Sequence, residues 1–180
     1  MESVADAAND SKGFKEAVNG SIDYRYDANG NIKEDANKNI SEILYNHLNL
    51  PTKVTFSTGE TIEWVYDAAG VKLYKITTDN APEPITTRKD YVGGIEYTGG
   101  ILEAVYHSEG RLVPTSTSDY QYEYTVKDHL GNARVSFADL DKDGEIVQSE
   151  ILQTNHYYPF GMLHEPNIIS GTAENAYQYN

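Results

Sequence analysis

The chain has 180 residues and a net charge of −14, with no cysteine and fifteen tyrosines. That charge argues against nucleic acid, where neutralising phosphates takes clustered lysine and arginine, and equally against an anionic membrane surface. Without cysteine there is no disulfide framework and no thiol nucleophile, and no apolar run approaches the ~20 residues of a membrane span.

Leu, Ile, Val and Phe together make up about 21% of the chain, just above the ~20% floor below which chains tend to disorder. Tyrosine makes up the difference, and its hydroxyl wants a partner or water. The expectation is therefore thin layers with a wet face, not a deep dry core. Residues 1–20 are small and polar and read as a linker or a disordered N-terminus, with no signal peptide visible. From Ser21 a period of two begins: Ile22, Tyr24 and Tyr26 point one way, and Asp23, Arg25 and Asp27 the other. A turn at 27–30 leads into a short strand around Asn31–Glu34, and Asp35–Lys38 is the next turn. Ile40–Leu50 also fits a helical stripe, but it is short and Pro51 follows, so strand is the reading taken. Pro51–Phe56 and Thr61–Tyr66 flank the hairpin signal Ser57-Thr58-Gly59-Glu60, and Val71–Thr77 continues the sheet.

Asp79–Pro84 is a loop with two prolines; Lys89–Tyr97, the Thr98-Gly99-Gly100 turn and Ile101–Tyr106 follow it. Past a polar run, Pro114–Asp119, the segment Tyr120–Lys127 alternates tyrosine and valine with polar residues and is the clearest amphipathic strand. Asn132–Phe137 and Glu145–Gln153 read as the next strand pair, and the tail after Pro166 has few apolar anchors. The sum is about twelve short strands and no helix, with connections too short for parallel pairing. The predicted fold is all-β: antiparallel β-hairpin repeats forming a curved, open sheet.

A motif organises this series. Tyr26-Asp27-Ala28-Asn29-Gly30 returns as Tyr66-Asp67-Ala68-Ala69-Gly70, more weakly as Tyr106–Leu112 around Gly110, and in degenerate form as Tyr45-Asn46-His47-Leu48-Asn49. The glycines at 30, 70 and 110 are spaced by 40, and Asn49 divides the first interval into 19 and 21. Self-similarity near this period means stacked structural units. Tyr suits the strand end, Asp accepts a backbone N–H two residues on, and Gly takes the positive φ that closes the turn.

These copies, together with Asp128-His129-Leu130-Gly131-Asn132-Ala133-Arg134 and Tyr157-Tyr158-Pro159-Phe160-Gly161, give the chain a resemblance to the Rhs/YD-repeat family of large bacterial proteins. The resemblance runs from Ser21 to Asn180: YD-type hairpin repeats over 21–113, and the Rhs repeat-associated core with an extended tail over 114–180. It implies strips of a long β-sheet that spirals into a hollow shell around a C-terminal toxin or effector. The implied protein is secreted or at the bacterial cell surface, and this chain is part of a larger product. Its implied partners are neighbouring repeats and the effector region. The family's self-cleavage site would lie beyond Asn180, so the segment is expected to be a non-enzymatic wall.

Three local features compete with that reading. Residues 139–150 satisfy a calcium-loop pattern, with Asp139, Asp141, Asp143 and Glu150 at positions 1, 3, 5 and 12, Gly144 at 6 and Glu145 at 7. The flanks read as strands, and the plain alternative is a solvated hairpin tip turning at Asp143-Gly144. Asp128-His129 suggests half a catalytic dyad, but no nucleophile elbow accompanies it; a turn shaped by Asp128 and Gly131, with Arg134 paired to a carboxylate, is the structural alternative. The tyrosine rows suit either carbohydrate stacking, as in an adhesion module, or cross-strand pairs that set the register. Pro159 breaks the strand pattern, so Tyr157–Gly161 reads as a corner. Raw sheet edges at both ends predict self-association.

Overall fold

The computed structural model describes residues 22–158 together with Gly161, Leu163, Asn167 and Ile168. The linker expected at 1–20, Pro159 and most of the tail lie outside the described residues. Alternating side chains, punctuated by Gly, Asp and Asn, give fourteen strands and two short 3₁₀ turns, Ala36–Lys38 and Gln148–Glu150, among the described residues. The chain divides into two compact units, Met1–Ile101 and Leu102–Asn180.

The first unit holds β1 (Tyr24–Tyr26), β2 (Ile32–Asp35), β3 (Ile40–Tyr45), β4 (Pro51–Phe56), β5 (Thr61–Tyr66), β6 (Lys72–Thr78), β7 (Thr86–Val92) and β8 (Ile95–Thr98). Each is antiparallel to the next. The second unit begins one residue into β9 (Ile101–His107) and continues through β10 (Gly110–Pro114), β11 (Tyr120–Lys127), β12 (Ala133–Phe137), β13 (Ile151–Thr154) and β14 (Asn167–Ile168), again antiparallel in chain order. Within each unit the described strands form an open sheet, in which the first strand does not pair with the last.

Three predicted strands differ from those observed, and Gly110–Pro114 is a strand where the sequence predicts a turn at Gly110. Lys89–Tyr97 is two strands, because Gly93 and Gly94 take φ of 56° and 86° and make a two-residue hairpin turn between β7 and β8. Glu145–Gln153 is strand only from Ile151, since the preceding residues are held in a loop and a 3₁₀ turn. Ile40–Leu50 is strand only as far as Tyr45, and its helical stripe is not used: the turn at 46–49 ends the segment before a helix has length to form.

The layers are thin. Val54, Ala104, Ala133, Ala138 and Leu152 are the buried apolar residues, and buried polar residues outnumber them among those described. In the first unit Ile43, Val54 and Ile62 align across β3, β4 and β5. In the second, a buried ion pair joins two neighbouring strands. Arg111 of β10 faces Glu123 of β11, both are buried, and Nε lies 2.6 Å from Oε2. A buried ion pair is weak evidence of net stability, yet costly to break on one side.

Candidate functional site: a repeated turn and an acidic loop

Tyr26 pairs with Ile32, Tyr45 with Pro51, Tyr66 with Lys72 and Lys127 with Ala133. Each pair closes the same turn, with a bulge at the same step. Asp27 N–H donates to the Asn31 carbonyl at 2.9 Å and Gly30 N–H donates to the Asp27 carbonyl at 3.2 Å. Asn46, Asp67 and Asp128 repeat both bonds. One side-chain oxygen organises each of these four copies. Asp27 Oδ1 accepts from Asn29 and Asn31 N–H at 2.9 Å, and Asn46 Oδ1 from Leu48 and Leu50 at 2.9 and 3.0 Å. Asp67 and Asp128 accept likewise. An amide oxygen serves as well as a carboxylate, which is why the Asn46 copy forms.

The residue that closes the turn is left-handed: Gly30, Gly70 and Gly131 have φ of 86°, 85° and 91°, and Asn49 has 58°. The Asn31 side chain donates to Asp27 Oδ2 at 2.9 Å and, with the backbone N–H groups, holds the Asp27 carboxyl below its ordinary value against the effect of burial. At Asp128 burial again favours the neutral acid, but the Asn132 side chain and backbone outweigh it, and this carboxyl is lowered too. Adjacent turns touch: Asn49 Oδ1 accepts from Asn29 Nδ2 at 3.0 Å and Asn31 Nδ2 at 2.9 Å.

The tyrosine before the turn reaches back to the preceding copy. Tyr45 O–H donates to the Ile32 carbonyl at 2.7 Å, and Tyr66 O–H to the Pro51 carbonyl at 2.9 Å. Tyr157 O–H donates to the Ala133 carbonyl at 2.7 Å. Every acceptor is the first residue after a turn. Burial raises the pKa of all three phenols, with the Asp27 charge adding to the rise at Tyr45. Tyr157 is thus the tyrosine of a fifth copy. It bridges to Leu163, and Gly161, with φ of 89°, donates to the Tyr158 carbonyl at 3.1 Å. The sequence-based corner overlooked this copy because Tyr158 stands where Asp stands elsewhere; the Tyr-x-x-x-Gly spacing was the available signal.

Gly110 is placed differently. It is a strand residue of β10, paired with His107 across a two-residue turn and with Tyr124 of β11. A Cβ at Gly110 would collide with the Glu123 carbonyl oxygen. Arg134 has Nη1 4.0 Å from Asp128 Oδ2 and Cζ 5.5 Å from the Tyr157 ring centre. The Asp128–Arg134 and Tyr157–Gly161 motifs, distant in sequence, therefore meet at one corner of the second unit. Asp128 turns both oxygens inward to its own turn and Arg134, while His129 is exposed at the tip.

The loop joining β12 to β13 gathers Asp139, Asp141 and Asp143, with carboxylate oxygens within 4.8 Å of one another. Asp139 accepts from Asp143 N–H at 3.2 Å and Gly144 N–H at 3.0 Å. Glu150 is buried and accepts from Val147 N–H at 3.0 Å and Leu140 N–H at 2.6 Å, which hold its carboxyl below the ordinary value. Glu145 is exposed. At Asp141 a hydrogen bond from Asp143 favours the anion, but burial and the charges of Asp143, Glu150 and Asp139 outweigh it and push its pKa up. Converging hard oxygens of this kind suit a divalent cation. The loop is flanked by a strand and a 3₁₀ turn, not by two helices.

No family model matches the chain, and no curated protein matches it. Solved structures do. A crystal structure of TcdB2–TccC3 matches with a TM-score of 0.59 at 15% identity, over 79% of this chain and 8% of that one. TcdB2–TccC3–Cdc42 matches with 0.60 at 16%, over 82% and 8%. A Tc holotoxin pore of Photorhabdus luminescens matches with 0.62 at 15%, over 86% and 8%. This chain has the fold of one stretch, about 8% of the length, of the chains in these toxin complexes.

Proposed function

We propose that this chain is a non-enzymatic wall segment of an Rhs/YD-type shell. The shell encloses a C-terminal toxin or effector region of a larger bacterial protein, secreted or displayed at the cell surface. The observation that carries this reading is the recurrence of one turn, joined copy to copy by tyrosine hydroxyls. A unit that binds its neighbour in this way extends a sheet hairpin by hairpin, as repeat proteins do. The shared fold with stretches of Tc toxin complexes supports it. The direct test is limited proteolysis of the parent protein. The C-terminal region is expected to resist protease there and to be digested when expressed alone. Equal digestion in both settings overturns the reading, and binding on a glycan array would then favour a carbohydrate-binding adhesion module.

We also infer that Ca²⁺ orders residues 139–150, supported by the three converging carboxylates of Asp139, Asp141 and Asp143, while the Glu150 oxygens are turned to the Leu140 and Val147 N–H groups. Calorimetric titration should detect binding that Asp139→Asn removes. No heat at millimolar Ca²⁺ overturns this inference and leaves the shell reading intact.

A further inference from the structure

One tyrosine row is not committed to turns. Tyr120, Tyr122 and Tyr124 share a face of β11 and are 45%, 56% and 39% exposed, while Glu123 on the other face is buried. Their geometry is held. Tyr122 and Tyr124 stack at 6.3 Å between ring centres, Tyr124 and Phe137 at 5.6 Å, and His107 meets Tyr122 and Tyr124 edge-on at 6.2 Å. His107 reaches them because Gly110, on the strand between, has no side chain to intervene. The three tyrosines line a groove of about 580 Å³, together with Asp119, Asp139 and Lys142.

Aromatic faces beside a carboxylate already hold guanidinium groups in this chain. Arg88 has Cζ 3.9 Å from the Tyr74 ring centre, with Nε 2.9 Å and Nη2 2.6 Å from Asp90 Oδ1. Arg134 lies over Tyr157 beside Asp128. The groove presents the same pairing of groups. All four arginines of the chain are paired with carboxylates elsewhere, so a guanidinium for the groove must come from another segment. Lys142 lies 3.7 Å from Asp119 with both side chains largely exposed, a contact that a planar guanidinium can replace. The net charge of −14 draws a basic segment and gives a neutral sugar no advantage.

We propose that this groove seats an arginine side chain from an extended segment of a partner, stacked on Tyr122 and Tyr124 and hydrogen-bonded to Asp119. The site stands independently of the shell reading. The test is a calorimetric titration of the whole chain with an end-blocked pentapeptide containing arginine, against the same peptide with neutral citrulline. The arginine peptide should bind about tenfold more tightly, the scale of one partly desolvated cation–π contact. Tyr122→Ala should abolish the preference, Tyr122→Phe should keep it, and Asp119→Asn should weaken it several-fold. Asp119 is exposed in a loop, so that variant decides the matter even if Tyr122→Ala unfolds the chain. Equal affinity for the two peptides, an arginine preference unchanged by Asp119→Asn, or binding of a neutral oligosaccharide without any arginine preference overturns the proposal.

Discussion

At the scale of single residues, one side-chain oxygen and one left-handed position make each of the turns that begin at Asp27, Asn46, Asp67 and Asp128. Gly70 combines a φ of 85° with crowding: a Cβ there would lie 3.1 Å from Leu50 Cδ1 and 3.5 Å from Leu48 Cδ1. Gly70→Val should therefore cost about 1–3 kcal/mol, and Ala69→Val, at an exposed position, within about 0.5 kcal/mol. Urea denaturation measures both, and equal costs contradict the turn geometry. The aspartates add a pH dependence. Asp27 and Asp128 have lowered folded pKa values, so their stabilisation is complete above about pH 4 and is lost as pH falls through those values. The Asp27→Asn/Asp128→Asn variant keeps an acceptor without a charge, as Asn46 does. Its thermal midpoint should fall less steeply between about pH 5 and pH 2, and identical slopes contradict the assignment. Tyr-Asp-x-x-Gly was legible because it encodes a local turn. The carbonyl each tyrosine reaches was not, because that depends on the register of a neighbouring hairpin.

At the scale of strands and loops, period-two alternation located Pro51–Phe56, Thr61–Tyr66 and Tyr120–Lys127 to the residue. It failed where backbone conformation overrode it: the Gly93-Gly94 turn, and the loop where Glu150 binds backbone N–H groups that a strand would pair elsewhere. Nor does alternation say which face is buried. In β11 the covered face carries Glu123 and the tyrosines face out, the reverse of the usual pattern. Arg111→Met should then cost about 3–5 kcal/mol by stranding the buried Glu123 charge, and adding Glu123→Leu should restore most of the loss. An additive double variant contradicts a coupled pair. The hydroxyl links give a second comparison. Tyr66→Phe should cost about 1 kcal/mol, whereas Tyr122→Phe, on the exposed row, should cost almost nothing.

At the scale of the whole molecule, recurrence near twenty residues made an all-β hairpin array legible, and the fold agrees with it. How such a sheet bends, and what it encloses, is not written in any one repeat, because the period fixes neighbours and not curvature. In the first unit β1 pairs only with β2 among the described residues, and an uncovered edge recruits other strands. Sedimentation velocity at rising concentration should reveal dimers or larger species; a monomer throughout contradicts an uncovered edge. Electron cryomicroscopy of the parent protein tests the central claim most directly. This segment should lie within a continuous wall, its edge strands paired to flanking repeats and one face turned toward an enclosed C-terminal region. A segment standing apart, with β1 bare and both faces in solvent, would contradict it.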